Sequence, residues 1–199
     1  MYQRYQIVVL LMALPAMYLL QACGQQAEPY PRPLGFHRID LPKETQYQQF
    51  ESSSCPFTFE YPREGKVTRD LPDSCWVDIQ FPPYGCKWHI TYRHVPTSGT
   101  SRSGHFEEQR RLIYNHIKKA SEIKENAFRV RAGYGTMYEV YGNVGTPLYL
   151  FLSDSSDTHV LMSTFYFRTA MKNDSLAPVI EYMKGQMMHA METLKWQQP

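Results

Sequence analysis

Hydrophobic and polar positions change period several times along this chain, and each change marks an element. The first apolar run, Ile7 to Leu20, is continuous, preceded by Arg4 and closed by Leu20-Gln21-Ala22-Cys23. At about 14 residues, with Pro15 inside it, the run is short of the roughly 20 residues a membrane-spanning helix needs. A basic start, a short apolar stretch and a small residue before a cysteine are the parts of a bacterial lipoprotein signal. The expectation is a signal peptide over residues 1–22 with Cys23 as the first mature residue. Diacylation of the Cys23 thiol and acylation of its amine would fix the protein to a membrane. Gly24 to Pro33 then offers few core-forming side chains and places Pro29, Pro31 and Pro33 at alternate positions, which favours an extended polyproline II tether. Residues 23–35 are therefore read as lipidated cysteine plus tether, and residues 36–199 as one domain.

Within that domain the first period is two. Cys55–Tyr61 alternates through Phe57, Phe59 and Tyr61, and Cys75–Phe81 does so through Val77, Ile79 and Phe81, so both are half-buried strands. A polar connector, Pro62–Asp73, separates them, and Pro82-Pro83-Tyr84-Gly85 turns the chain into a third strand, Cys86–Arg93. After the loop Pro96–Ser103 the period moves towards 3.6. Phe106, Ile113, Ile117, Ala120 and Lys124 fall on one stripe, with Leu112 and Ile123 at its margin, which predicts an amphipathic helix over Gly104–Lys124 lying on a sheet. Four further strands are predicted at Phe128–Arg131, Gly135–Tyr141, Leu148–Leu152 and Val160–Arg168. A terminal helix opens at the capping cluster Asn173-Asp174-Ser175, and its buried stripe is Val179, Met183, Met187, Ala190, Met191 and Leu194. The sum is an α+β domain: six to seven mostly antiparallel strands with a central and a C-terminal helix.

Composition narrows the function classes. The 21 basic and 19 acidic residues give a net charge of +2 and no broad basic field, so nucleic acid is not an expected partner. Fifteen Tyr and ten Phe, with mean hydropathy of -0.48, suit strands with one face buried. Once Cys23 carries lipid, Cys55, Cys75 and Cys86 remain in a compartment that permits disulfides: one bridge and one spare thiol. Cys55 with Cys75 and Cys55 with Cys86 both stand open at this point, the second favoured by a plain hairpin. No C-x-x-C pair is present, so redox catalysis is not expected.

Candidate chemistry is sparse. His89 and His94 point to opposite faces of a regular strand, and His105 and His116 lie nearly three helical turns apart, so neither pair chelates by itself. A site assembled from these histidines with Asp154 or Asp157 is weighed and set below ordinary surface histidines; no metal is expected. Met183, Met187 and Met191, with Met188 beside them, have the spacing of a soft-metal ladder and equally that of a helix packing on a sheet; core packing is preferred. Ser52-Ser53-Ser54 and Ser153–Ser156 lack a nucleophile elbow and read as loops. Trp76, Trp88 and Trp196 would suit sugar stacking if exposed, but core or rim positions are expected. Nothing assigns a catalytic residue, and no cofactor is expected beyond the covalent lipid on Cys23.

Two resemblances add to this reading. The strand Phe57-Thr58-Phe59-Glu60-Tyr61-Pro62 and the long terminal helix resemble the PsbP/Mog1-like αβα sandwich. More extensively, Tyr30-Pro31-Arg32-Pro33, Gly35-Phe36-His37-Arg38-Ile39-Asp40-Leu41-Pro42, Cys55–Pro62, Cys75-Trp76-Val77-Asp78-Ile79, Tyr114–Ala120 and Asp174–Tyr182 resemble the gliding motility-associated lipoprotein GldD family of Bacteroidetes. That resemblance implies a membrane lipoprotein needed for gliding and linked to type IX secretion, without an established catalytic activity. It also implies that Cys55 and Cys75 are the bridged pair, with Cys86 a departure from the family pattern. The expectation is a noncatalytic accessory of an envelope machine, whose partners are other gliding and secretion envelope proteins. With no acidic cluster after Cys23, the periplasmic face of the outer membrane is the expected location. The alternative is a periplasmic glycan-binding or glycan-processing lipoprotein.

Overall fold

The structure is a computed structural model and describes residues 35–36, 38–68, 75–95, 107, 110–115, 120–168 and 173–197. The signal segment, Cys23 and most of the tether lie outside the described residues. The chain divides into Met1–Phe36 and His37–Pro199, and the fold belongs to the second unit.

Two antiparallel sheets carry it. A three-stranded sheet has the order β1 (Tyr47–Phe50), β2 (Phe57–Pro62), β10 (Lys195–Trp196). A seven-stranded sheet has the order β3 (Lys66–Thr68), β4 (Trp76–Phe81), β5 (Cys86–His94), β9 (His159–Phe167), β8 (Leu148–Ser153), β7 (Gly133–Gly142), β6 (Ala120–Val130). The long helix α1, Asn173–Thr193, follows β9. The α+β class and the antiparallel sheet therefore stand as the hydropathy pattern predicts.

The alternation in each strand decides which face each residue joins. Trp88, Ile90, Phe165, Leu161, Leu148 and Leu152 point to one face, where they meet Phe57 and Phe59 of the small sheet and Val179, Met183, Met187, Ala190, Met191 and Leu194 of α1. These make one apolar core, in which Trp88 is fully buried and donates its indole N–H to the buried Ser163 hydroxyl. Polar bonds fix α1 on this layer: Tyr182 Oη donates to Glu64 Oε1 at 2.7 Å, and His189 Nε2 lies 2.9 Å from Glu60 Oε2. The Tyr47 ring stacks on His189 at 3.8 Å. On the opposite face Ile113 packs with Tyr138, Val140 and Val144.

Two glycines are required by geometry. Gly85 ends the Pro82–Tyr84 turn at φ 62, a left-handed conformation that side chains resist, and its N–H bonds the Pro82 carbonyl at 3.3 Å. A Cβ at Gly135 would meet the Phe151 carbonyl oxygen at 2.0 Å, so only glycine lets β7 run this close to β8.

Three expectations change. The central helix does not reach Lys124: residues 110–114 are helical, whereas Ala120 already opens β6. That strand, ASEIKENAFRV, is exposed along most of its length, so hydropathy with period two is absent and its Ala, Glu and Lys mimic helix formers. The short strands β1, β3 and β10 were not foreseen. Finally, the Cys55–Cys86 alternative rested on a plain hairpin between the first two predicted strands, and that hairpin does not form. β2 pairs with β1 and β10, while β4 pairs with β3 and β5. Cys55 is instead bonded to Cys75 with Cα atoms 5.0 Å apart, and Cys86 is free and buried.

Candidate functional site

Three groupings of polar side chains arise from this register. The first lies on the face of the large sheet opposite the main core. Asp78 and His89 are direct cross-strand partners in β4 and β5, and Lys87 is two residues before His89 on the same side of the pleat. The Asp78 carboxylate is enclosed, with Oδ1 2.5 Å from His89 Nδ1 and Oδ2 in an ion pair with Lys87 Nζ. His89 Nε2 lies 3.1 Å from Thr91 Oγ1, and the exposed Trp76 ring meets His89 edge-on at 6.4 Å. Burial by itself would lower the Lys87 pKa, but bonds to Asp78 and Tyr166 outweigh it and the ammonium is held charged above its ordinary range.

An acid, an imidazole and a hydroxyl in sequence have the order of an activated nucleophile. Here Lys87 shares the acid, and Thr91 stands on a sheet face. The cleft of about 160 Å³ between α1 and the β7–β8 strands is on the opposite face of the sheet, lined by Glu139, Leu148, Ala177, Ile180 and Glu181. The relay and the cleft are thus separated by the sheet itself.

The second grouping is at the end of the β5–β9 ladder. His94 pairs directly with His159, ring centroids 5.5 Å apart. His159 Nδ1 is 2.8 Å from Tyr92 Oη, and its ring stacks on Trp196 at 5.2 Å. Trp196 Nε1 donates to the Ala132 carbonyl at 2.8 Å, which locks the indole in place. Beside it, Asp154 accepts from the backbone N–H groups of Thr158 at 2.8 Å and His159 at 2.9 Å. Burial would raise the Asp154 pKa, but those bonds and the Ser156 and Thr158 hydroxyls outweigh it and keep it below the usual carboxylate range. Burial, and then the Asp154 charge, push the Tyr92 phenol up.

The third is a single buried thiol at the other end of β4 from the Cys55–Cys75 bridge, where Cys86 faces Phe81. The free Cys86 thiol is pushed up to about 12 by burial, which leaves it a packing group and not a nucleophile.

His89 and His94 do point to opposite faces of β5. His105 and His116 lie outside the described residues. Asp154 and Asp157 belong to the β8–β9 turn, where Asp157 has φ 59 and accepts from the Tyr134 and Ser153 hydroxyls. Met183, Met187 and Met191 are fully buried in the main core. Trp88 is in the core and Trp196 is stacked on His159, so the three tryptophans do not assemble one aromatic platform. Among the described residues no three of His, Cys, Asp and Glu converge as a metal cage. Sequence reasoning missed the Asp78–His89–Thr91 relay and the His94–His159 pair, because both depend on strand register and follow no motif.

Comparison with known proteins supplies the family. The model described as "Gliding motility lipoprotein GldD" matches residues 26–196, most of the chain, and the protein belongs to that family. No curated protein matches the sequence. Among solved structures, the chain is similar to cyanobacterial PsbP (CyanoP) from Synechocystis sp. PCC 6803, at 9% identity and a TM-score of 0.46, covering 77% of this chain and 94% of that one.

Proposed function

We propose that this lipoprotein of the gliding motility family is a noncatalytic accessory of the gliding and type IX secretion machinery, held in the envelope through lipid on Cys23 and acting by protein–protein contacts. The observation that carries the reading is the family match over residues 26–196. The short apolar run closed by Ala22-Cys23 supports the anchor, and three acyl chains would make it effectively permanent. The fold suits a contact module. A broad sheet backed by one continuous core presents a firm polar face on which Asp78 fixes Lys87 and His89 beside the exposed Trp76. Rigid surfaces of this kind lose little freedom on docking. The absence of an acidic run after Cys23 supports the periplasmic face of the outer membrane.

In-cell crosslinking followed by mass spectrometry tests the reading. Envelope machine components attached to the domain are the expected catch, lost when Cys23→Ser releases the chain from the membrane. Saturable binding of purified glycan with no protein attached would overturn it in favour of a glycan-binding role. Digestion of the domain on intact cells by added protease would overturn the periplasmic placement.

A further inference from the structure

The geometry points to an open transition-metal site at His94 and His159, taking one divalent d-block cation such as Zn²⁺ or Cu²⁺ through two imidazole nitrogens. The ladder makes the case first. Val95 N–H bonds the Thr158 carbonyl at 2.8 Å, which makes residues 95 and 158 a hydrogen-bonded pair of the β5–β9 ladder. The next opposed pair, His94 and His159, is therefore a narrow, non-hydrogen-bonded pair, where the Cα atoms lie about 4.5 Å apart and side chains approach most closely. Their ring centroids are 5.5 Å apart. Two imidazoles sharing one tetrahedral ion, at metal–nitrogen distances of about 2.0–2.1 Å, put their centroids about 5 Å apart, so little movement closes the site.

The surroundings hold His159 ready for this task. Tyr92 Oη occupies its Nδ1 at 2.8 Å, which leaves Nε2 for the ion. Coordination at Nε2 places the remaining proton on Nδ1, and the Tyr92 oxygen accepts it; metal-bound histidines are ordinarily oriented by such an outer bond. Trp196 braces the ring from one side. Asp154 does not compete as a ligand, since its oxygens already accept from the Thr158 and His159 N–H groups and from the Ser156 and Thr158 hydroxyls of the β8–β9 turn. A paired-imidazole donor set suits zinc or copper better than magnesium or calcium, which favour oxygen. His94 is exposed, so the other coordination positions open to water. The inference stands apart from the machine role and neither needs it nor supports it.

The test uses the untagged full chain in detergent, stripped with chelator and titrated with Zn²⁺ by calorimetry and with Cu²⁺ by electron paramagnetic resonance. One stoichiometric equivalent is expected, with nitrogen hyperfine structure in the copper spectrum. His94→Ala, at an exposed position that leaves the core intact, removes that equivalent. His159→Asn does the same, and Tyr92→Phe weakens binding about tenfold through the lost outer bond. His189→Gln, on α1, leaves it unchanged. Unaltered affinity in both His94→Ala and His159→Asn would overturn the site, as would folded wild-type protein that takes up no stoichiometric metal.

Discussion

Asp78 and His89 face each other directly across the β4–β5 ladder, Oδ1 2.5 Å from Nδ1, and the side chain of Asp78 is wholly enclosed while that of His89 keeps 29% of its surface open. The asymmetry sets the cost of breaking the cluster. Asp78→Asn frees Lys87 and His89, which both reach water, and should cost about 2 kcal/mol. Lys87→Met leaves an enclosed carboxylate with one fewer cation and should cost more, about 3 kcal/mol. Urea unfolding of the two variants ranks them; the reverse order would show that the carboxylate is not the buried partner.

The bridge between Cys55 and Cys75 closes a loop with a sequence separation of 20, worth about 3 kcal/mol on the chain-entropy model. Reduction, or the paired substitution Cys55→Ser with Cys75→Ser, should lower stability by that order. Non-reducing peptide mapping should return the Cys55–Cys75 peptide. Cys86 should resist iodoacetamide in the native protein at pH 8 and react fully in urea, because its thiolate fraction while folded is on the order of 10⁻⁴. A Cys55–Cys86 peptide would contradict this pairing.

The fold was legible where one face of an element is buried and silent where neither face is. Phe57, Phe59, Val77, Ile79 and Phe81 alternate because each second position enters the core, and the α1 stripe recurs every three to four residues for the same reason. The edge strand β6 carries only a partial record: Phe128 and Val130 pack against the core and mark its end as strand, whereas its first half is exposed apart from the partly buried Ala120 and Ile123, so its backbone is strand while its side chains look like those of a helix. Tyr47–Phe50 and Lys195–Trp196 are strands only because β2 has two free edges to fill. The candidate sites were less legible still. His94 and His159 are 65 positions apart, and their pairing is a consequence of how β5 and β9 align.

Alkaline pH should expose the buried thiol. Folding raises the Cys86 pKa from an ordinary value of 9.0 to about 12, so the folded state holds its proton more tightly than the unfolded one. This contribution is fully present below pH 9 and is lost as pH rises through the window from about 9 to about 12. The stability of the wild-type protein relative to Cys86→Ala should thus be constant below pH 8 and decline by about 1.4 kcal/mol for each unit inside that window. Tyr84, also pushed up to about 12 by burial, then by Glu64 and by the Cys86 charge, is coupled to the thiol, so both proteins carry Tyr84→Phe in this comparison. A difference that stays flat to pH 11 would show that the thiol is not desolvated.

Met187 separates packing from metal binding on α1. Met183, Met187 and Met191 are each 0% exposed and touch the sheet core, whereas Met188 is only partly buried at its edge. Met187→Ala removes most of a buried side chain and leaves a cavity, so about 2–5 kcal/mol should be lost. Met187→Leu keeps volume and hydrophobicity while deleting the sulfur, and should cost under about 1.5 kcal/mol. Met188→Ala removes less enclosed surface and should cost less than Met187→Ala. If sulfur itself mattered, as for a Cu⁺ ligand, leucine would behave like alanine in metal retention while preserving the fold. Thermal melts with Cu⁺ present and absent decide the matter: the packing role requires that Met187→Leu and wild type respond alike.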